Sequence, residues 1–162
     1  MTDRITALLP ALLFSSAAVA APMTLDDYLK LSGPAPTARI AYGSAPSQFA
    51  ELFRPQGKGP FPVVVLVHGG CWTIKFGGIE QMRNVAGALA AEGIAVWNVE
   101  YRRSDEEGGG YPGTYQDMNA ALDKLGQEAG NYQLDSGSKT SCCGCSSRKF
   151  VKCWIIFFVI SF

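Results

Sequence analysis

Three residues in a row, His68, Gly69 and Gly70, have the types and spacing to do chemistry. They follow the apolar run Pro62 to Val67 and precede Cys71 and Trp72. A buried strand that ends in His-Gly-Gly brings backbone N–H groups to a sheet edge with no side chains in front of them. Donors fixed in that way stabilise the negative oxygen that forms when a nucleophile adds to a carbonyl. Losing one such donor raises the barrier by about 3–4 kcal/mol. Glycine serves because the turn visits dihedrals closed to other residues and lets a substrate approach the backbone. Read as a plain strand-end turn, the same residues carry no chemistry.

The remaining groups such chemistry needs are hard to find. His68 is the chain's single histidine. The Gly144-Cys145-Ser146-Ser147-Arg148 stretch offers one candidate nucleophile, Ser146, set against its reading as an ordinary exposed serine. Cys142, Cys143, Cys145 and Cys153 crowd the last residues and invite a metal reading. They have neither a second Cys pair nor a histidine at ligand spacing, so no metal site and no cofactor are expected. Cys71 stands apart from them, without a nearby partner.

The elements that must position the loop read as alternating strands and helices. Thr24 to Lys30 is a short helix with Thr24 as N-cap and Asp26 and Asp27 at its positive end. Thr37 to Tyr42 and Gln48 to Phe53 are half-buried strands separated by turn residues. Pro62 to Val67, continuously apolar, is a fully buried central strand. Ile79, Met82, Val85, Ala86, Leu89 and Ala90 form one apolar helix face, ended by Gly93 in the left-handed position. Ile94 to Val99 is the next buried strand, completing a βαβ unit. After the glycine-rich stretch 108–113, Thr114 and Asp117 match a capping box with Asp in place of Glu. Met118, Ala121, Leu122 and Leu125 then line one helix face. Glu100, Arg102 and Arg103, at a strand end, read as loop-holding residues.

The sequence of these motifs resembles the α/β-hydrolase family over Ala35 to Asp135. The carriers are His68-Gly69-Gly70-Cys71-Trp72, Asn98-Val99-Glu100-Tyr101-Arg102-Arg103 and Gly110-Tyr111-Pro112-Gly113-Thr114-Tyr115-Gln116-Asp117. The chain is similar to the esterase branch that includes kynurenine formamidases and feruloyl-esterase-like domains. The resemblance implies an α/β fold, a mostly parallel sheet with flanking helices, and a serine nucleophile acting on a small-molecule ester or amide. It implies that Gly70 and Cys71 donate the oxyanion-hole N–H groups, that Gly69 permits the turn, and that Trp72 packs below the loop. His68 is then structural, the general base being a different histidine. The family's G-x-S-x-G elbow should follow soon after Asp135, and no such pattern occurs. The reading is therefore a truncated α/β-hydrolase, lacking the elbow strand and the C-terminal half, with an unpaired apolar edge on the central strand.

Composition bounds the remainder. The 162 residues are 48% hydrophobic and 17% charged, which suits a globular domain. Fourteen basic and fourteen acidic side chains leave no net charge, so nothing argues for nucleic acid as a partner. Residues 1–20 read as an export signal, with Arg4, the apolar Ile5 to Phe14 and a small-x-small site at Ala18 to Ala20. A short buried helix is the other reading. The apolar segments are too short to span a bilayer. A linker with the short helix follows at 21–36, then the hydrolase-like part at 37–135. Composition changes abruptly at Ser136, and 136–162, Cys-rich then apolar, read as a frameshifted or misjoined tail. Oligomeric state is not legible.

Overall fold

The computed structural model describes residues 23–135 and, for the backbone alone, Cys153–Phe157. Ten elements follow in order, of which the helices are α1 (Leu25–Leu29), α2 (Arg83–Ala91) and α3 (Gly113–Glu128). The strands are β1 (Ala38–Ala41), β2 (Phe49–Phe53), β3 (Val63–Val67), β4 (Ala95–Val99) and β5 (Cys153–Phe157). Two 3₁₀ turns, Ile74–Phe76 and Ile79–Met82, lie between β3 and α2. The strands form one mixed sheet in the order β1-β2-β4-β3-β5. β1 and β2 are antiparallel, β2 joins β4 antiparallel, and β3 is parallel to both β4 and β5.

Alternation along β3 explains why both faces of the sheet are covered. Successive side chains point to opposite faces. Val63, Val65 and Val67 pack with Trp97, Ala121, Leu125 and Ala129 on the α3 side. Val64 and Leu66 pack with Val96, Met82 and Ala86 on the α2 side. A strand buried on both faces needs an unbroken apolar run, and Val63–Val67 supplies one.

The helix ends follow their residues. Thr24 caps α1 reciprocally with Asp27. At the end of α2, Gly93 takes φ +83, its N–H donates to the Ala90 carbonyl and that of Ile94 to the Leu89 carbonyl. These two bonds are a Schellman motif. The apolar face expected from Ile79 onward is present, but its first turn is 3₁₀, with the α-helix beginning at Arg83.

Three expectations change. β2 is buried at every position rather than half-buried, because it lies between β1 and β4 and its one carboxylate, Glu51, is met by Arg83 at 2.5 Å. Asp117 is not a helix cap: no side chain caps α3, and Asp117 is buried on its inner face against Arg102. The edge of β3 facing away from β4 is paired. Phe61 exchanges two backbone bonds with the Gln133–Asp135 segment, forming a parallel bridge to Leu134. Two residues further on, Val63 pairs with Cys153, and the ladder runs to Val67 and Phe157.

Candidate active-site loop

β3 delivers the chain to His68 at the edge where the parallel strands β4 and β5 also end. There the backbone turns sharply. Gly70 has φ +126, Cys71 φ +49 and Trp72 φ +62. The left-handed glycine is therefore Gly70 rather than Gly69. A Cβ on Gly70 would meet the Phe76 carbonyl oxygen at 3.2 Å, a second reason for glycine there. Two consecutive non-glycine residues in the left-handed region cost free energy that surrounding contacts must offset.

Those contacts come from the end of β4 and the segment after it. His68 is 2% exposed. Its Nδ1 lies 2.8 Å from the Gly69 carbonyl oxygen, and its Nε2 lies 2.8 Å from Oε1 of Glu100. Tyr101 stacks on the imidazole, with ring centroids 4.5 Å apart, and its hydroxyl donates to the His68 carbonyl at 3.0 Å. The Trp72 carbonyl accepts from both the N–H and the hydroxyl of Ser104, and the Ile74 N–H donates to the Asp105 carboxylate. Arg103 donates to the Gly77 carbonyl at 2.8 Å. The other oxygen of Glu100 accepts from the Ile79 N–H at 3.2 Å.

Electrostatics follow from burial and pairing. Burial pushes the Glu100 carboxyl up, but the hydrogen bond and charge of His68, with Arg103, outweigh it and hold the group below its ordinary value. Burial, aided by the Glu100 charge, pushes the Tyr101 phenol up to about 12. Asp117 is also held low: its burial is outweighed by bonds from the Arg102 side chain and N–H and from Gln48. Thr114 donates to the Arg102 carbonyl, so α3 fixes the base of the 100–110 segment through two side chains.

Against this support, the N–H groups of Gly70, Cys71 and Trp72 have no acceptor among the described residues. Unpaired donors at the end of a buried parallel strand suit a developing negative charge. Cys71 is exposed and free. Trp72 does not pack below the loop. It is 42% exposed and meets Tyr115 edge-on, with centroids 5.7 Å apart. The structure thus brings together His68, Gly69, Gly70, Cys71 and Trp72, while Ser146 lies outside the described residues. Among the described residues no group of His, Cys, Asp and Glu could hold a metal ion, and no helix is long and apolar enough to cross a membrane. The Cys cluster from Cys142 to Cys145 is outside them.

Sequence reasoning missed the anchoring role of Asp117, because an Asp three residues after a Thr at a helix start looks like half of a capping box. The only signal was its position in the stripe Gly113, Asp117, Ala121 and Leu125, which repeats every four residues and faces inward.

Comparison with known proteins agrees with this geometry. The BD-FAE family model matches residues 51–148. Esterase B from Lactobacillus rhamnosis is 25% identical with a TM-score of 0.53, over 65% of this chain and 35% of that one. A truncated carbohydrate esterase from gut microbiota is 22% identical with a TM-score of 0.54, over 61% of this chain and 35% of that one, a likeness of fold alone. A bacterial heroin esterase is 33% identical with a TM-score of 0.49, over 54% of this chain and 27% of that one. The chain thus aligns with about a third or less of the length of each. No curated protein matches. The family match covers more than half of the chain, and the sheet order and loop fit the same fold: the chain belongs to the BD-FAE family, an esterase-like group of α/β-hydrolases.

Proposed function

We propose that this chain carries the oxyanion-loop part of a serine-type ester or amide hydrolase, and that Gly70 and Cys71 are its N–H donors. The observation that supports this most is the absence of any acceptor for those two N–H groups among the described residues, at the carboxyl edge of β3. When a nucleophile adds to an ester carbonyl, the oxygen becomes negative, and two fixed donors stabilise it more than they stabilise the neutral ester. The substrate class is a small-molecule ester or amide. His68 holds the loop and is not the general base. Its Nδ1 is engaged by Gly69, its Nε2 by Glu100, and the ring is buried. A base must reach the proton it removes.

Because His68 is the only histidine, the 162-residue chain turns over no ester by itself. Incubation with an activated acyl ester and a serine-directed phosphonate tests that statement; turnover, or a phosphonate adduct on Ser146, overturns it. The family match reaches residue 148 and so takes in Ser146, which makes the adduct the sharper readout. The loop assignment has its own test. A chimera in which residues 51–135 replace the matching segment of Lactobacillus rhamnosis esterase B should hydrolyse the activated ester, and a folded but inactive chimera refutes it.

Export belongs to the same reading. Residues 1–20 direct the chain out of the cytoplasm, and fractionation of cells expressing the chain with and without them tests it. Equal cytoplasmic retention of both forms rules it out.

A further inference from the structure

We propose that Glu100 is a positioning residue for the oxyanion loop, one carboxylate that clamps both ends of the segment between His68 and Ile79. This rests on the loop assignment made above and adds how the loop keeps its shape. The clamp is visible in the division of labour between the two oxygens. Oε1 meets His68 Nε2 at 2.8 Å, the residue that opens the segment, and also accepts from the Tyr101 N–H at 3.0 Å. Oε2 accepts from the Ile79 N–H at 3.2 Å, the residue that closes it.

The segment has little regular structure of its own. Its single 3₁₀ turn, Ile74–Phe76, is three residues long. Gly70, Cys71 and Trp72 occupy the left-handed region together, a conformation that persists only when the surroundings over-determine it. Ser104 and Asp105 grip the middle of the segment from an exposed loop. Glu100 grips its two ends from the end of β4, a strand bound on both sides by β2 and β3. A carboxylate has lone pairs enough to meet two backbone N–H groups and the imidazole at once, whereas an amide at the same place offers one accepting oxygen. Arg103, 3.6 Å from Oε1 and bonded to the Gly77 carbonyl, places a positive charge behind the clamp.

The test reads the order of the loop instead of ester turnover, so its failure is separate from failure of the hydrolase reading. In the full 162-residue chain, exposed Cys71 reports on loop geometry through its rate of alkylation by iodoacetamide, followed on its own peptide by mass spectrometry. Amide hydrogen exchange at 69–73 reports on the same segment. Glu100→Gln should change the Cys71 rate by tenfold or more and speed exchange at 69–73 at least tenfold, with exchange across β4 unchanged. Glu100→Asp, which keeps the charge but shortens the reach, should fall between. Leu125→Ala, a core truncation in α3 that removes no hydrogen bond to the loop, should lower global stability and leave Cys71 within twofold of the parent. If Glu100→Gln leaves both readouts within twofold, or if Leu125→Ala moves Cys71 as much as Glu100→Gln does, the clamp is refuted. Should Glu100→Gln not fold, Glu100→Asp decides by the same two limits.

Discussion

Nε2 of His68 and Oε1 of Glu100 stand 2.8 Å apart, with the histidine side chain wholly buried and the glutamate nearly so. Such a pair is weak evidence for stability, because desolvation offsets much of the attraction. Removing one member is another matter, since Glu100 then stays buried with only Arg103 and two backbone N–H groups to meet it. His68→Ala should therefore cost about 3–5 kcal/mol, read as a fall in the urea midpoint with the slope unchanged.

Arg102 and Asp117 form a second such pair, Nη2 to Oδ1 at 2.7 Å, with the carboxylate almost wholly buried. Arg102→Lys should destabilise despite keeping the charge, because an ammonium cannot reproduce the guanidinium's bonds to both oxygens of Asp117. Thermal unfolding of the two proteins side by side checks this, and an unchanged midpoint would contradict it.

Acid should unfold the domain through these carboxyls. Glu100 and Asp117 are both held below their ordinary values in the folded state. Their contribution is complete above the unfolded-state values, about 4.3 for Glu and 3.9 for Asp, and is lost as pH falls through the lower folded values. Stability from these two groups is thus level from neutral pH to about pH 5 and declines below about pH 4. Asp117→Asn should flatten part of that decline in a urea titration repeated at each pH.

Gly70→Ala and Gly57→Ala separate backbone strain from crowding. Both glycines have positive φ, but a Cβ at Gly57 meets nothing within 4 Å, while at Gly70 it meets the Phe76 carbonyl. Each should lose about 1–3 kcal/mol to backbone strain, with Gly70→Ala the more costly of the two. Equal losses at the two sites would dismiss the contact with Phe76.

Leu66 is wholly buried between Val64, Val96 and Ala86 on the α2 side of the sheet. Leu66→Ala should cost about 2–5 kcal/mol, measurable as a lower urea midpoint. A loss under about 1 kcal/mol would mean that α2 collapses into the space.

How legible the molecule was depended on whether the signal was local. The run Val63–Val67 announces a strand buried on both faces, because no half-exposed strand tolerates five apolar residues in a row. Gly93 announces the end of α2 because a Schellman turn needs a left-handed residue. The His68 to Trp72 loop was legible as a motif, but which glycine is left-handed was not, since either of two adjacent glycines can serve. Asp117 was misread because the partner that decides its role, Arg102, is fifteen positions away and approaches only when α3 docks on the sheet. β5 was missed because a strand was sought directly after α3. The position beside β3 is instead taken up at Leu134 and resumed at Cys153, so the strand's partner residues are not contiguous in the chain.

That divided neighbour of β3 sets the order of assembly. Val63 lies nearer to Ala95 than to Cys153 in the chain, so β3 and β4, joined through the segment that carries α2, can pair first. Val63 and Cys153 are separated by most of the domain, and contacts of that span form late and slowly. During synthesis from the N-terminus, β3 emerges long before Cys153–Phe157 does. For that interval the strand that ends in the His68 loop presents a bare row of amides and carbonyls to whatever it meets. A nascent chain at this stage is open to capture by another strand, and chaperone contact should concentrate at β3.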